Sequence, residues 1–178
     1  VYYDSGASAR IILEDFWISG NKTNTDTALY IKNGYFNTFL NRMRVSGAVT
    51  NIHLESSWTL TISDSHVFGD ENDSKGITQT NLYTDGWEAG VLRNSRLEDC
   101  LGDNVVIDQI DGEDTNFFTI DGSCKIQRCN GRGIYAKVGQ GKIHAYFERV
   151  NDDNAALDTI SITGATKSSP VVISAYNT

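Results

Sequence analysis

The chain has 178 residues, and its 15 Lys and Arg against 23 Asp and Glu give a formal net charge of −8 at pH 7. This charge repels nucleic-acid phosphates and anionic membrane surfaces, so neither is expected as a partner. No apolar run approaches the ~20 residues of a membrane-spanning helix, so we expect no membrane insertion. The length fits one domain over residues 1–178, and because the chain begins with Val1 we expect a segment of a longer protein.

Residue usage predicts many short strands rather than helices. The chain has one proline and 16 glycines, and its frequent Thr, Asn, Asp, Ile and Val are typical of strands joined by polar turns. In chain order, a phrase recurs in which two apolar residues flank a short, mostly polar stretch. Its copies cover residues 13–18, 40–45, 62–67, 92–97, 120–126 and 143–150.

The second apolar residue of this phrase marks the length of a repeat. It falls at Ile18, Val45, Val67, Leu97, Ile126 and Val150, with spacings that vary from 22 to 30 residues. Propellers and leucine-rich repeats keep stricter periods, whereas the coils of a β-helix keep their strands in register while surface turns vary in length. The pattern therefore predicts an all-β fold, a right-handed, single-stranded parallel β-helix of about six coils, clearest over residues 9–164.

A further strand precedes each phrase and alternates apolar with polar residues. Alternation places one set of side chains on a single face, which we predict to be the lumen of the helix. The clearest members of this set are Leu29, Ile31, Ile52, Leu54, Val105 and Ile107. Each would contribute ~1.5 to 3 kcal/mol when fully buried. His53 lies between two of them and is predicted to point outward.

The three cysteines, Cys100, Cys124 and Cys129, are too few and of the wrong number for a disulfide framework. None of their spacings matches a zinc site. We predict reduced, buried thiols, with Cys100 and Cys129 in one interior row, and neither a metal nor a cofactor.

Three coil phrases carry a resemblance to a known family: Asn94-Ser-Arg-Leu-Glu-Asp99, Gly102-Asp-Asn-Val-Val-Ile107 and Asn130-Gly-Arg-Gly-Ile-Tyr135. With them the chain resembles the β-helical tailspike and tail-fibre proteins of bacteriophages, within the pectate-lyase-like superfamily. The resemblance implies a homotrimer in the virion tail, assembled in the host cytoplasm. It also implies that the protein binds, and often cleaves, a bacterial surface polysaccharide such as a capsule or an O-antigen.

Pectin hydrolases of the same superfamily have three characteristic segments, and this chain has only incomplete versions of them. The near matches are Asn24-Thr-Asp-Thr27, Gly102-Asp-Asn104 and Gly131-Arg-Gly133. Each lacks a residue that the chemistry requires, so a plant-pectin hydrolase is not expected.

Glycoside hydrolysis generally needs two carboxyl groups, roughly 5 to 9.5 Å apart. Neighbouring coils are ~4.8 Å apart, so acids of adjacent coils fall within reach of this separation. Asp85 and Asp114 are 29 residues apart, the local coil length, and are the predicted catalytic pair. Glu88 and Asp111 are the next candidates. The competing interpretation is that these residues simply form turns, which Asp favours.

Two tryptophans could stack on sugar rings. Trp58 shares the parity of Leu60 and Ile62, so it is predicted to face the lumen. Trp87 lies in the glycine-flanked segment 85–90 and is predicted to be exposed and to bind substrate.

Three functions remain open at this stage, because the fold alone does not separate them. The first is a polysaccharide depolymerase, a hydrolase in preference to a lyase. The second is a non-catalytic receptor-binding or shaft segment of a tail fibre, and the third is a secreted bacterial β-helix adhesin or lyase. His144, Tyr146 and Glu148 are residue types that a lyase uses, although exposed strand positions account better for them.

Overall fold

The computed structural model describes residues 1–4, 10–21, 23, 25–34, 38–70, 74–108, 117–137, 140–152, 157–164 and 171–177. Within these ranges the regular elements are β-strands, and no helix is long and apolar enough to cross a membrane. The strands wind into a parallel β-solenoid, which confirms the predicted all-β, parallel β-helix.

In chain order the strands are β1 (Tyr2–Asp4), β2 (Ile12–Glu14), β3 (Trp17–Ser19), β4 (Thr27–Lys32), β5 (Phe39–Asn41), β6 (Arg44–Ser46), β7 (Thr50–Trp58), β8 (Thr61–Ser63), β9 (His66–Phe68), β10 (Thr80–Glu88), β11 (Gly90–Arg93), β12 (Arg96–Cys100), β13 (Val105–Asp108), β14 (Phe117–Cys129), β15 (Ile134–Ala136), β16 (Gln140–Val150), β17 (Ile160–Ile162) and β18 (Val171–Asn177). Most of them are short because a turn interrupts the chain at most corners of the coil.

Three faces surround the lumen. Face A is the seven-stranded parallel sheet β1-β4-β7-β10-β13-β15-β17. Face B contains β2, β5, β8 and β11, and face C contains β3, β6, β9 and β12. The long strands β14 and β16 continue across both faces B and C, which joins the two into one sheet, and β18 pairs with β16. Each coil passes through faces A, B and C in turn.

The apolar anchors found in the sequence form two interior rows. On face B the row is Leu13, Leu40, Ile62, Leu92, Ile120 and Ile143, all in register as predicted. On face C the row is Ile18, Val45, Val67, Leu97, Ile126 and Phe147. The prediction of Val150 for the last position was wrong, because the phrase shortens in β16 and Val150 pairs with Cys129 instead.

The corner between faces B and C is built from residues in the left-handed conformation. Asp15, Arg42, Asp64 and Asn94 have φ values of 58°, 50°, 52° and 44° and follow strands that pair in register. Asp and Asn adopt this conformation more readily than most residues. Corner geometry therefore accounts for part of the acidic content of the chain.

At the corner between faces C and A, three buried asparagines form a ladder between coils. Asn51 Nδ2 donates to Asn81 Oδ1 at 2.7 Å, and Asn81 Nδ2 donates to Asn104 Oδ1 at 3.0 Å. The same amides also bond to backbone carbonyls of face C, including those of Phe68 and Glu98. The ladder thus provides hydrogen-bond partners for backbone carbonyls in the interior of the solenoid.

Candidate functional site

The outward side chains of face A form two parallel rows along the solenoid. Each of six successive strands contributes a first outward residue and, two positions later, a charged one. The first row, called the aromatic row, is Tyr2, Tyr30, His53, Tyr83, Val106 and Tyr135. The second, called the charged row, is Asp4, Lys32, Glu55, Asp85, Asp108 and Lys137.

The aromatic row is continuous over its first four members. The ring centroids of Tyr2 and Tyr30 are 5.2 Å apart, those of Tyr30 and His53 are 4.6 Å apart, and those of His53 and Tyr83 are 4.9 Å apart. Burial lowers the pKa of His53 despite the nearby carboxylates of Glu55 and Asp85. The imidazole is thus favoured in its neutral form, in which it serves as another ring of the row.

Glu55 is held in its ionised form by two donors from the preceding coil. Lys32 Nζ lies 2.6 Å from Glu55 Oε1, and the hydroxyl of Tyr30 donates to Glu55 Oε2. The hydrogen bonds from Lys32 and Tyr30 lower the pKa of Glu55 below its ordinary value. Burial, followed by the hydrogen bond to Glu55, raises the pKa of Tyr30, so Tyr30 remains a donor.

Asp85 is in the opposite situation. Its carboxyl group is partly buried, and among the described residues it has no hydrogen-bond or ion-pair partner. Burial raises the pKa of Asp85, and the adjacent charges of Asp108 and Glu55 raise it further. Asp108 itself is paired, with Lys137 Nζ at 2.5 Å and the Tyr83 hydroxyl at 3.3 Å. Neighbouring coils therefore hold one carboxyl group of raised pKa beside carboxylates that are paired with lysines.

The predicted catalytic residues are placed as follows. Asp85 lies in the charged row, but its partner in the next coil is Asp108, because the chain takes 23 residues rather than 29 to return to this position on face A. Asp111 and Asp114 lie outside the described residues. Glu88 pairs with Trp58 at the far end of β10 and is not in the charged row.

Both tryptophan predictions were wrong, because left-handed residues interrupt these strands, among them Thr59 with φ 51° between Trp58 and Leu60. Ser56 and Gly86 occupy equivalent positions in β7 and β10 and have φ values of 49° and 81°. A left-handed residue inserted in a strand shifts the alternation of faces by one position. Trp87 is consequently turned into the lumen, with no exposed surface, and its indole Nε1 donates to Leu60 O at 3.2 Å. Trp58 is turned outward and is 36% exposed.

Trp87 therefore cannot stack on a sugar in this structure. It fills the interior beside Gly90, where an added Cβ would lie 1.9 Å from the indole ring. The rings of the aromatic row, by contrast, face outward beside the carboxyl groups of the charged row.

Most of the site was missed by sequence reasoning, although a signal was present. The motif is a ring, an inward residue and a charged residue, as in Tyr30-Ile-Lys32, His53-Leu-Glu55, Tyr83-Thr-Asp85 and Tyr135-Ala-Lys137. Of the two rows, the sequence singled out Asp85 as a candidate and predicted the outward orientation of His53, which is confirmed. Comparing these short strands with one another, rather than seeking dense acidic stretches, would have found both rows.

Within the described ranges, no three His, Cys, Asp or Glu side chains are grouped in a way that could hold a metal ion. Comparison of the chain with protein-family models, curated proteins and solved structures gives no match. Functional inference therefore depends on the geometry of face A and on the chemistry of its side chains.

Proposed function

We propose that face A binds a bacterial surface polysaccharide and that Asp85 and Glu55 cleave one of its glycosidic bonds. The observation that carries this proposal is the register of the charged row. It places a carboxyl group of raised pKa next to a carboxylate of lowered pKa, on adjacent coils and beside a row of rings. Titratable groups whose environments push their pKa values apart mark the acid and the base of an active site.

The aromatic row supplies the binding surface. Rings repeated at the ~4.8 Å spacing of the coils present successive faces and edges along the solenoid. Tyrosine combines an apolar ring with a hydroxyl group, which suits the alternating apolar and polar surfaces of a sugar. Val106 interrupts the row between Tyr83 and Tyr135, next to Asp85 and Asp108. A sugar ring fits best at this smaller residue, beside the carboxyl group that donates the proton.

The chemistry follows from the protonation states. Protonated Asp85 donates its proton to the glycosidic oxygen as the bond from the anomeric carbon to that oxygen breaks. The positive charge that develops on the sugar ring is stabilised by the Glu55 carboxylate, which then forms a bond to the anomeric carbon. Water hydrolyses this glycosyl ester, and Asp85, now ionised, takes a proton from that water. The ~4.8 Å separation of adjacent coils is close to the spacing of retaining enzymes, so we expect retention of configuration.

The resemblance of the coil phrases supports a tailspike-type assembly as the setting for this reaction. In that setting the protein is a homotrimer in the virion tail, and its substrate is a capsule or an O-antigen. A secreted bacterial protein is the alternative setting, and light scattering on the protein distinguishes a trimer from a monomer.

Asp85→Asn is the direct test of the catalytic assignment. The amide cannot donate the carboxyl proton, so we expect cleavage to fall by about 10² to 10⁴-fold, the usual contribution of a general acid. Glu88→Gln is the matched control, because Glu88 is the nearest acid of β10 outside the charged row and its substitution should leave cleavage unchanged. The measurement is the release of reducing ends from a panel of capsular and O-antigen polysaccharides, with binding followed separately.

Other outcomes would change the proposal in defined ways. Cleavage by Asp85→Asn at the wild-type rate would show that Asp85 is not the acid. Products with ultraviolet-absorbing unsaturated ends would replace hydrolysis by elimination. Binding by the wild-type protein without new ends would establish the second candidate function, a non-catalytic receptor-binding segment. Two ion pairs, Glu55 with Lys32 and Asp108 with Lys137, support that candidate. Such pairs stabilise neighbouring coils whether or not the charged row takes part in a reaction.

A further inference from the structure

Face C carries a pocket, on a different side of the coil from the two rows of face A. It lies between β14 and β16, where the register shifts between Ile120 and Cys124 and the intervening residues bulge. The pocket has a volume of about 320 Å³, within the range of small-ligand sites. Its lining includes Gly122, Ser123, Lys125, Gln127, Tyr146 and Glu148.

The side chains of the pocket offer a ring, a donor and an acceptor to one ligand. Gln127 Nε2 donates to Glu148 Oε2 at 2.5 Å, and the hydroxyl of Tyr146 lies 3.4 Å from the same oxygen. Both contacts fix the orientation of Glu148 and of the Tyr146 ring at the pocket wall. A carboxylate next to a ring suits the hydroxyl groups and the apolar face of a sugar.

Lys125 supplies the charge. It is exposed, and among the described residues its ammonium group has no hydrogen-bond or ion-pair partner. It is also the last member of a row of basic side chains in register across face C, which is Arg44, His66, Arg96 and Lys125. In a chain of net charge −8, Lys125 at the end of this row provides a local positive charge for an anionic group.

The inner members of the basic row are already neutralised. Glu98 is buried, with 1% of its surface exposed, and its carboxylate lies 2.5 Å from His66 Nε2, 2.5 Å from Arg96 and 2.8 Å from Arg128. Burial raises the pKa of Glu98, but the hydrogen bond from His66 and the two arginines outweigh it, so that the pKa is lowered overall. Glu98 therefore stays ionised and balances the two arginines, whereas Lys125 remains available beside the pocket.

From this arrangement we infer that the face C pocket binds a sugar unit bearing a carboxylate, such as a uronic acid. The carboxylate pairs with Lys125, the sugar ring stacks on Tyr146, and a hydroxyl group donates to Glu148. Because it names the substrate class, this inference rests on the proposed polysaccharide-binding function. The polysaccharide is then acidic, and it has a second attachment point on the protein that takes no part in cleavage.

The test uses single sugars, as methyl glycosides, because their binding at the pocket is followed independently of polymer cleavage. Methyl glucuronoside and methyl galacturonoside are titrated into ¹⁵N-labelled protein, each beside its neutral parent glycoside, and amide shifts are followed in β14 and β16. We expect shifts at the pocket with dissociation constants on the order of 1 mM for the acidic glycosides, and weaker binding of the neutral ones. Lys125→Gln should weaken acidic binding roughly fivefold, the effect of one exposed ion pair. Lys142→Gln, an exposed lysine of β16 on face B, should leave it unchanged.

Three results would overturn the inference: no shift at the pocket residues, equal binding of acidic and neutral glycosides, or equal effects of the two lysine substitutions. Asp85→Asn separates this inference from the proposed catalysis, because that variant should lose cleavage and keep the shifts at the face C pocket. Wild-type protein that binds uronosides here but releases no reducing ends would leave the pocket in place and remove only the catalytic assignment.

Discussion

In the proposed reaction Asp85 is the general acid, and the charges of neighbouring residues change its pKa. Its pKa is raised by burial and by the charges of Asp108 and Glu55, while Lys137 acts in the opposite direction. As the general acid it must be protonated, so cleavage should decline as the pH rises through this raised pKa. Glu55 must be ionised, and its lowered pKa leaves it so at mildly acidic pH. We therefore expect a bell-shaped profile with an acidic optimum.

Two substitutions should move the alkaline limb of that profile in opposite directions. Asp108→Asn removes a like charge, so the pKa of Asp85 falls and the limb moves to lower pH. Lys137→Met removes a cation whose charge lowers the pKa of Asp85, so the limb moves to higher pH. The measurement is kcat/KM against pH for both variants, since this ratio reports the free enzyme. Shifts of the same sign would contradict the assignment of the limb to Asp85.

Residue-scale features were also the hardest to predict from sequence. Period-two alternation assumes an extended backbone at every position. Ser56 and Gly86 break that assumption, and nothing in the residue type of Ser56 signals a left-handed backbone. The candidate Asp85 was found, but its pairing was not, because the coil length differs between face A and face C.

At the scale of the element, the asparagine ladder ties the coils together on the inside of a turn. Asn81 accepts a hydrogen bond from Asn51 and donates to Asn104 Oδ1 and to Glu98 O, and all three asparagines are fully buried. Asn81→Ala would leave buried donors and acceptors on both neighbouring coils without partners. We expect it to lower the free energy of unfolding by about 2 to 4 kcal/mol, measured by urea denaturation.

Asn21→Ala provides the control for this measurement. Asn21 is an exposed turn residue, and substitutions at such positions usually change stability by less than about 0.5 kcal/mol. Similar losses for the two variants would show that the ladder amides contribute no more than surface amides do.

Elements were predicted better than residues because each strand is specified by several side chains at once. Anchors such as Leu40 and Val45 repeat in every coil, and a row of buried aliphatics tolerates only one register. The predicted register failed at Val150, because the repeated phrase is shorter in β16 than in the earlier coils. Cys100 and Cys129 lie in one interior row as predicted, and they are free and buried.

At the scale of the whole molecule, the solenoid places a group of acidic side chains and a row of basic side chains on different faces. The carboxyl groups of Glu55, Asp85 and Asp108 lie on face A, and the basic row that ends at Lys125 lies on face C. A long polymer can contact both faces, whereas a small ligand contacts one. The two proposed sites together fit the proposal of a polysaccharide that is held on face C and cleaved on face A, with the gain in affinity that linked sites provide.

The solenoid architecture also predicts which strands unfold locally most easily. Each inner strand of face A pairs with two neighbours, whereas β1 pairs only with β4 and β17 only with β15 among the described strands. In a solenoid, stability is approximately a sum over coils and the contacts between adjacent coils. Native-state hydrogen exchange should therefore show the highest protection in β7 and β10 and lower protection in β1 and β17.

A substitution in the core tests whether a loss of stability stays close to the substituted coil. Leu82 is fully buried in β10, and Leu82→Ala should cost about 2 to 5 kcal/mol. We expect protection to fall most in β10 and its partners β7 and β13, and least in β1, because destabilisation decays with the number of coil interfaces crossed. Val106→Ala, an outward residue of β13, is the control and should leave the exchange pattern nearly unchanged. Equal loss of protection in every strand after Leu82→Ala would instead show that the coils unfold as a single cooperative unit.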